Sequence, residues 1–278
     1  MDELVSFESY LFGEDFDDNR IIIENIPFLI DRIKIFPSLR PLKIEKVVSL
    51  CEECMKLPGF REIILIDLFL KCPILIYRLF HKGYYTFNEI YVLLKNNKGS
   101  ISIYYYKDQL KSFNNEDLIE NVNISYDLSM FCDQQILDMI QYGFIPKSLE
   151  YCLKYDDVDN IKSKLSAYIV SSPGEAIWSP FEWSSEPKSK GFLAVSGFFG
   201  SIKCFKQLLV LGYPIDETVF SCVSCNGSPD LFHICAGGFL NYSKSLLEAS
   251  RFLNMSIVDF LLRNGIDINT KDKMIVLM

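Results

Sequence analysis

The candidates for chemistry in this chain are its cysteines and histidines, for its 278 residues include nine cysteines and only two histidines, His81 and His233. Cys222-Val-Ser-Cys225 has the spacing of a metal-ligand pair, and His233 and Cys235 follow close behind. Four such side chains gathered in a tetrahedron would hold zinc. Cys51-Glu-Glu-Cys54 shows the same spacing by itself. Against a metal centre, Cys222 and Cys225 fall in the first helix of a repeat while His233 and Cys235, two apart on the second, point to different sides of it. Cysteine also fills helix cores as a small hydrophobe. A structural zinc-binding or redox protein built on Cys222, Cys225, His233 and Cys235 therefore stands as the alternative reading.

Two histidines leave few ways to build a Ser-His-Asp or Cys-His nucleophile. His233 sits four residues after the helix-opening Pro229, and His81 sits beside Lys82-Gly83 where a helix ends. Both read as structural or surface residues, a helix C-terminus favouring a partly cationic imidazole. No Gly-x-Gly-x-x-Gly or phosphate-binding Gly-Lys-Ser is present, and Gly237-Gly238 reads as a turn. The expectation is a non-enzymatic protein with no cofactor.

The elements around these residues are helical. From Ile21 to about Gln141 the chain reads as short helices near 21–36, 44–56, 61–71, 74–82, 87–95 and 134–141, with one long loop near 97–130. In Ile44, Val47, Val48, Leu50 and Cys51 the apolar positions follow a helical spacing. Ser100 to Tyr106, SISIYYY, is the one strand-like run and fits a helix packed on a neighbour equally well. Residues 1–20 read as an acidic tail carrying no targeting signal. Hydrophobic residues make up 49% of the chain, which excludes disorder, and a formal net charge of -8 argues against nucleic acid. The apolar stretch from Ile63 to Tyr77 is broken by Asp67, Lys71 and Pro73, so no membrane span is expected. An odd number of cysteines in a long chain fits a reducing, cytoplasmic location.

Self-similarity organises the C-terminal half. Gly200 to Gly212 and Leu253 to Gly265 both run to a terminal Gly, and a shorter copy begins at Gly227. The starts at 200, 227 and 253 give steps of 27 and 26 residues. Ile257-Val-Asp-Phe-Leu-Leu-Arg-Asn-Gly-Ile-Asp-Ile-Asn269 resembles the second helix and turn of an ankyrin repeat, whose unit is 33 residues. The turn motif is reduced to Thr218-Val-Phe-Ser221 in the middle copy, so the hairpin fingers are expected to be short. The stretches 143–156, Trp178 to Trp183 and Ser196 to Lys206 are similar to an ankyrin-linked domain of unknown function from expanded families of a parasitic protist. That resemblance covers roughly residues 20–278, and the family carries no assigned catalytic activity.

The fold expected is thus all-α, an α-solenoid of stacked helix pairs with ankyrin-like repeats in its C-terminal half. Its parts are the tail 1–20, a helical region 21–141, a helix pair with an aromatic and Pro-rich loop over 142–190, and degenerate repeats over 191–278. In that loop Trp178, Phe181 and Trp183 serve either to tether it to the solenoid or to anchor a partner. The resemblance implies a protein-protein interaction scaffold or adaptor that meets an unknown protein partner on a concave face. Counting by register, that face takes Phe198, Phe199, Cys225, Asn226, Arg251 and Phe252 from the first helices, with Glu217, Asn241 and Ser243 from the turns. Two outward phenylalanines would be an apolar patch of the kind that marks a partner site, unless neighbouring helices cover them. The apolar end Met274-Ile-Val-Leu-Met278 either folds back or drives self-association, and a truncated gene product without independent function is a further alternative.

Overall fold

Apolar residues at helical spacing, separated by Gly, Pro and Asn, dictate short helices, and helices are what the chain forms. The computed structural model describes residues 33, 42, 44–56, 59–126, 128–168, 174–182, 191–236, 243–252 and 254–266. Among these, every regular element is helical, and the only β-type pairing is an isolated antiparallel bridge between Glu175 and Gly191. None of the described helices is long and apolar enough to cross a membrane. The chain divides into two compact units, Met1–Asp133 and Gln134–Met278.

In the first unit, α1 (Ile44–Cys54), α2 (Phe60–Leu68), α3 (Pro73–His81) and α4 (Phe87–Asn96) fall where the spacing puts them. Helix α1 turns Ile44, Val47, Val48, Leu50, Cys51 and Cys54 inward. Pro73 opens α3, where its missing N–H costs nothing. Thr86 and Glu89 cap α4 reciprocally. Arg61 on α2 forks onto the Glu89 carboxylate at 2.6 and 2.8 Å, and its Nε donates to the Tyr84 carbonyl, which ties α2 to the start of α4.

The long loop expected near 97–130 is instead folded. Residues Ile101–Tyr106 form a 3₁₀ helix, followed by α5 (Lys107–Ser112), α6 (Glu116–Tyr126) and a 3₁₀ turn at Leu128–Met130. SISIYYY is helical because Ser100 accepts the Ser102 N–H as an N-cap and no described strand offers it an edge. Ser102 Oγ then donates to the Phe69 carbonyl, while Ile103 through Tyr106 are buried. The acidic tail and the expected helix at 21–36 lie outside the described residues apart from Ile33, which is helical and buried.

Helix α7 (Asp133–Tyr142) begins at the division between the units. The second unit continues as four helix pairs: α8 (Leu149–Tyr155) with α9 (Val158–Tyr168), α10 (Phe192–Phe199) with α11 (Ile202–Val210), α12 (Glu217–Asn226) with α13 (Pro229–Ala236), and α14 (Ser243–Arg251) with α15 (Met255–Arg263). The partners in each pair touch, and the first helices pack in a row, α8 on α10, α10 on α12 and α12 on α14. This is a helical, repeat-like architecture in which each pair packs on its neighbours. The second helices of the last three pairs begin just after the copy starts at 200, 227 and 253. Helix α10 is buried at all eight residues, as its Phe-Leu-Ala-Val-Ser-Gly-Phe-Phe sequence requires, since it has no polar face to give to water. Residues 267–278, which include the apolar end, lie outside the described residues.

Candidate functional site

The site expected from the repeats lies at the C-terminal ends of the first helices, and the chain fixes those ends with one device used repeatedly. Helices α10 and α12 stop at Gly200 and Gly227, which take left-handed φ of 75° and 82°. Asp156 stops α8 in the same conformation at φ 59°, and its carboxylate caps α11 of the next pair by accepting from the backbone N–H groups of Lys203 and Cys204 at 3.2 and 2.8 Å. Ser201, at the N-terminus of α11, donates to the Leu153 carbonyl at the end of α8. Asn254, at the corresponding place before α15, donates to the Ser224 and Cys225 carbonyls at 2.7 and 2.6 Å. The Asp156 bonds satisfy N–H groups at the start of a helix and the Ser201 and Asn254 bonds satisfy carbonyls at the end of one, and so each sets one pair against the next.

Across these ends runs a line of aromatic rings. Trp178 stacks on Phe199 at 5.8 Å between centroids with planes 8° apart, and meets Phe144 and Phe198 edge-on at 5.6 and 6.4 Å. Phe198 then meets Phe252 at 5.7 Å and 90°, and Arg251 lies over the Phe252 ring at 5.6 Å. Such offset and edge geometries add to the burial energy of large rings. Beside the line sits an ion pair whose two side chains have no solvent exposure: Lys154 Nζ donates to Glu182 Oε2 at 2.7 Å and to the Tyr142 carbonyl at 3.0 Å. The rings of Phe144, Tyr155 and Phe199 stand 5.9, 5.4 and 5.8 Å from the ammonium. Gly143 is obligatory here, because at φ 85° a Cβ would collide with the Glu182 carboxylate.

The expected outward patch is therefore corrected. Phe198 and Phe199 are buried, Phe198 against Trp178 and Phe252 and Phe199 against Trp178 and Phe144. Phe252 is buried against Phe198, and Cys225 is buried with its thiol directed at the Ser221 carbonyl and the Glu248 carboxylate. Burial pushes the Cys225 thiol well up, and Cys222 and Glu248 push it further. Asn226 is half-buried with its amide against Gly200. The expected residues that do reach solvent are Arg251, 58% exposed at its side chain, and Glu217, which pairs with Lys244 at 3.0 Å. Asn241 lies outside the described residues, and Ser243 is placed only as the first residue of α14.

Of the aromatic loop, Trp178 is half-buried, Phe181 is buried and Trp183 lies outside the described residues. Sequence reasoning missed Lys154, Glu182, Lys244 and Glu248. One signal for the first two was available, a carboxylate set between Phe181 and Trp183 and a lysine directly after the core positions Cys152 and Leu153.

The alternative metal site does not assemble. Cys222, Cys225 and Cys235 are buried while His233 is exposed, and among the described residues no three His, Cys, Asp or Glu side chains gather. None of the nine cysteines is in a disulfide, and Cys132 is the exposed one. His81 ends α3, yet desolvation by packing lowers its pKa, so the expected shift toward the cation is reversed. Its ring meets Tyr77 and Phe80 at 4.4 and 5.3 Å. Comparison with protein-family models, curated proteins and solved structures finds no match to this chain.

Proposed function

We propose that the second unit is an ankyrin-like repeat stack that acts as a non-enzymatic protein-binding scaffold. The observation that carries this reading is the row α8–α10–α12–α14, whose C-terminal ends are aligned by Ser201 and Asn254. A row of that kind offers adjacent surface positions on successive repeats, which is how repeat stacks meet other proteins. The charges on its first helices are well placed for this: Glu217 and Lys244 bridge α12 and α14, and Arg251 stands exposed at the end of α14. Charged groups at a rim set partner choice and association rate more than affinity. We read the setting as reducing and cytoplasmic, because the nine cysteines are odd in number and too sparse in 278 residues for a disulfide scaffold.

The test is affinity capture with wild type and with the combined variant Glu217→Lys, Lys244→Glu, Arg251→Glu. A partner retained by wild type and lost at least tenfold from the variant, at unchanged helical circular dichroism, is the expected result. Identical partners for both proteins, or none for either, would count against the reading.

A further inference from the structure

Residues 174–182, Gly-Glu-Ala-Ile-Trp-Ser-Pro-Phe-Glu, form the longest non-helical stretch described in the second unit. They lie on the first helices mainly through side chains. Trp178 rests on Phe199, Phe144 and Phe198, Phe181 is 1% exposed, and Glu182 reaches Lys154. The backbone adds the Ile177 N–H donated to Glu150 Oε1 at 3.0 Å and the bridge from Glu175 to Gly191. This is how a bound extended peptide sits, with an aromatic anchor in an aromatic shelf and one charge met by its opposite.

We propose that this strap is the internal occupant of a peptide-binding site, and that a partner's acidic segment, carrying an aromatic residue four positions before a carboxylate, takes its place. The proposal rests on the protein-binding reading above. Charge complementarity selects the occupant. The Lys154 ammonium is enclosed by Phe144, Tyr155 and Phe199, so whatever covers the shelf must bring a carboxylate to it, as Glu182 does. A buried ion pair gains little net free energy, because desolvation offsets its attraction, so one carboxylate exchanges for another at small cost. The strap's outer edge is open to that exchange at Ile177, which is 70% exposed, while Trp178 is half-buried.

The experiment uses the full chain and a labelled peptide of sequence 174–182, read by fluorescence anisotropy. In the variant Trp178→Ala/Glu182→Ala the strap's two anchors are removed while the shelf remains. The peptide is expected to bind this variant at least tenfold more tightly than wild type. A control peptide with Ala for Trp and Gln for the final Glu should not bind, and adding Lys154→Met should abolish binding. Equal binding of both peptides, or no binding to the folded variant, overturns the proposal.

Should the variant fail to fold, hydrogen exchange on wild type decides. The Ile177 and Glu182 amides are expected to exchange at least tenfold faster than those of α8 and α10, and exchange only together with those helices overturns it. Failure of the peptide arms, with a partner still captured by wild type and lost from the Glu217→Lys, Lys244→Glu, Arg251→Glu variant, would sink the strap and leave the scaffold reading standing.

Discussion

Lysine 154 and Glu182 offer the sharpest test of the packing described for the second unit. Lys154→Met keeps the length of the side chain and removes the ammonium, so it opens no cavity and isolates the electrostatic effect. What remains is the Glu182 carboxylate, fully buried with its 2.7 Å donor gone, and a Tyr142 carbonyl that has lost its 3.0 Å donor. Removing one partner of a buried pair costs about 3–5 kcal/mol. Glu182→Met alone strands the ammonium among Phe144, Tyr155 and Phe199 and is expected to cost about as much.

Replacing both by Met removes both charges of the pair, and the double variant should lie within about 1 kcal/mol of wild type, because the Tyr142 carbonyl keeps the Tyr155 hydroxyl as a donor at 3.1 Å. Urea unfolding at pH 7 followed by tryptophan fluorescence reads this, since both tryptophans, Trp178 and Trp183, belong to the second unit's sequence. A double variant as unstable as the two single changes combined would show that the groups are not coupled. So would a Lys154→Met cost below about 1 kcal/mol, and either result would refute the buried pair.

Further outcomes follow from the same packing. Gly143→Ala should cost more than Gly212→Ala in urea unfolding: both have left-handed φ, of 85° and 88°, worth about 1–2 kcal/mol, but only at Gly143 does the new Cβ strike Glu182. Asn254→Ala removes two buried bonds to the end of α12 and should lower stability by about 1–3 kcal/mol, with equal stability the refuting result. Burial pushes the Cys54 and Cys152 thiols up to about 11 and those of Cys72 and Cys235 up to about 12. These folded values lie above those of the unfolded chain, so their contribution is complete below about pH 8.5 and is lost as pH rises toward 12, by up to about 1.4 kcal/mol per pH unit per thiol. A urea midpoint that stays flat from pH 7 to 10 would contradict that burial. A thiol reagent should label Cys132 in the native protein and the other eight cysteines only after unfolding.

Much of the fold was legible because it is local. The helices α1 to α4 follow from apolar spacing and from caps such as Pro73 and Thr86, all carried within a few residues of each other. The ends of α10 and α12 were legible as Gly200 and Gly227, because only a residue at ease with positive φ stops a helix that way. The pair α8 and α9 hides its kinship to the later pairs, since Asp156 does the work of that glycine and an insert separates it from Gly200. The segment 97–130 misread as loop shows the reverse failure. There, a run rich in β-branched and aromatic residues became 3₁₀ because the Ser100 cap and burial of four consecutive side chains outweighed strand propensity.

The candidate site was less legible, because repeat register tells which way a side chain leaves its helix and not what lies in its path. Phe198 and Phe199 do occupy the ends of α10 that the register assigns, yet the covering segment belongs to no repeat and comes from the insert before it. The sequence of α10 nonetheless held a warning, for eight residues without a charge cannot present a face to water. Lys154 was obscured by the ordinary expectation that a lysine near a helix end points outward. Its reach to Tyr142 and Glu182 is set by tertiary packing around Gly143, where the lack of a side chain leaves room for a carboxylate. The insert that breaks the repeat period is thus also what covers its aromatic face. A partner that binds this face of α8 and α10 must either add to the exposed edge at Ile177 or displace the strap, and in displacing it must supply the carboxylate that Lys154 would lose.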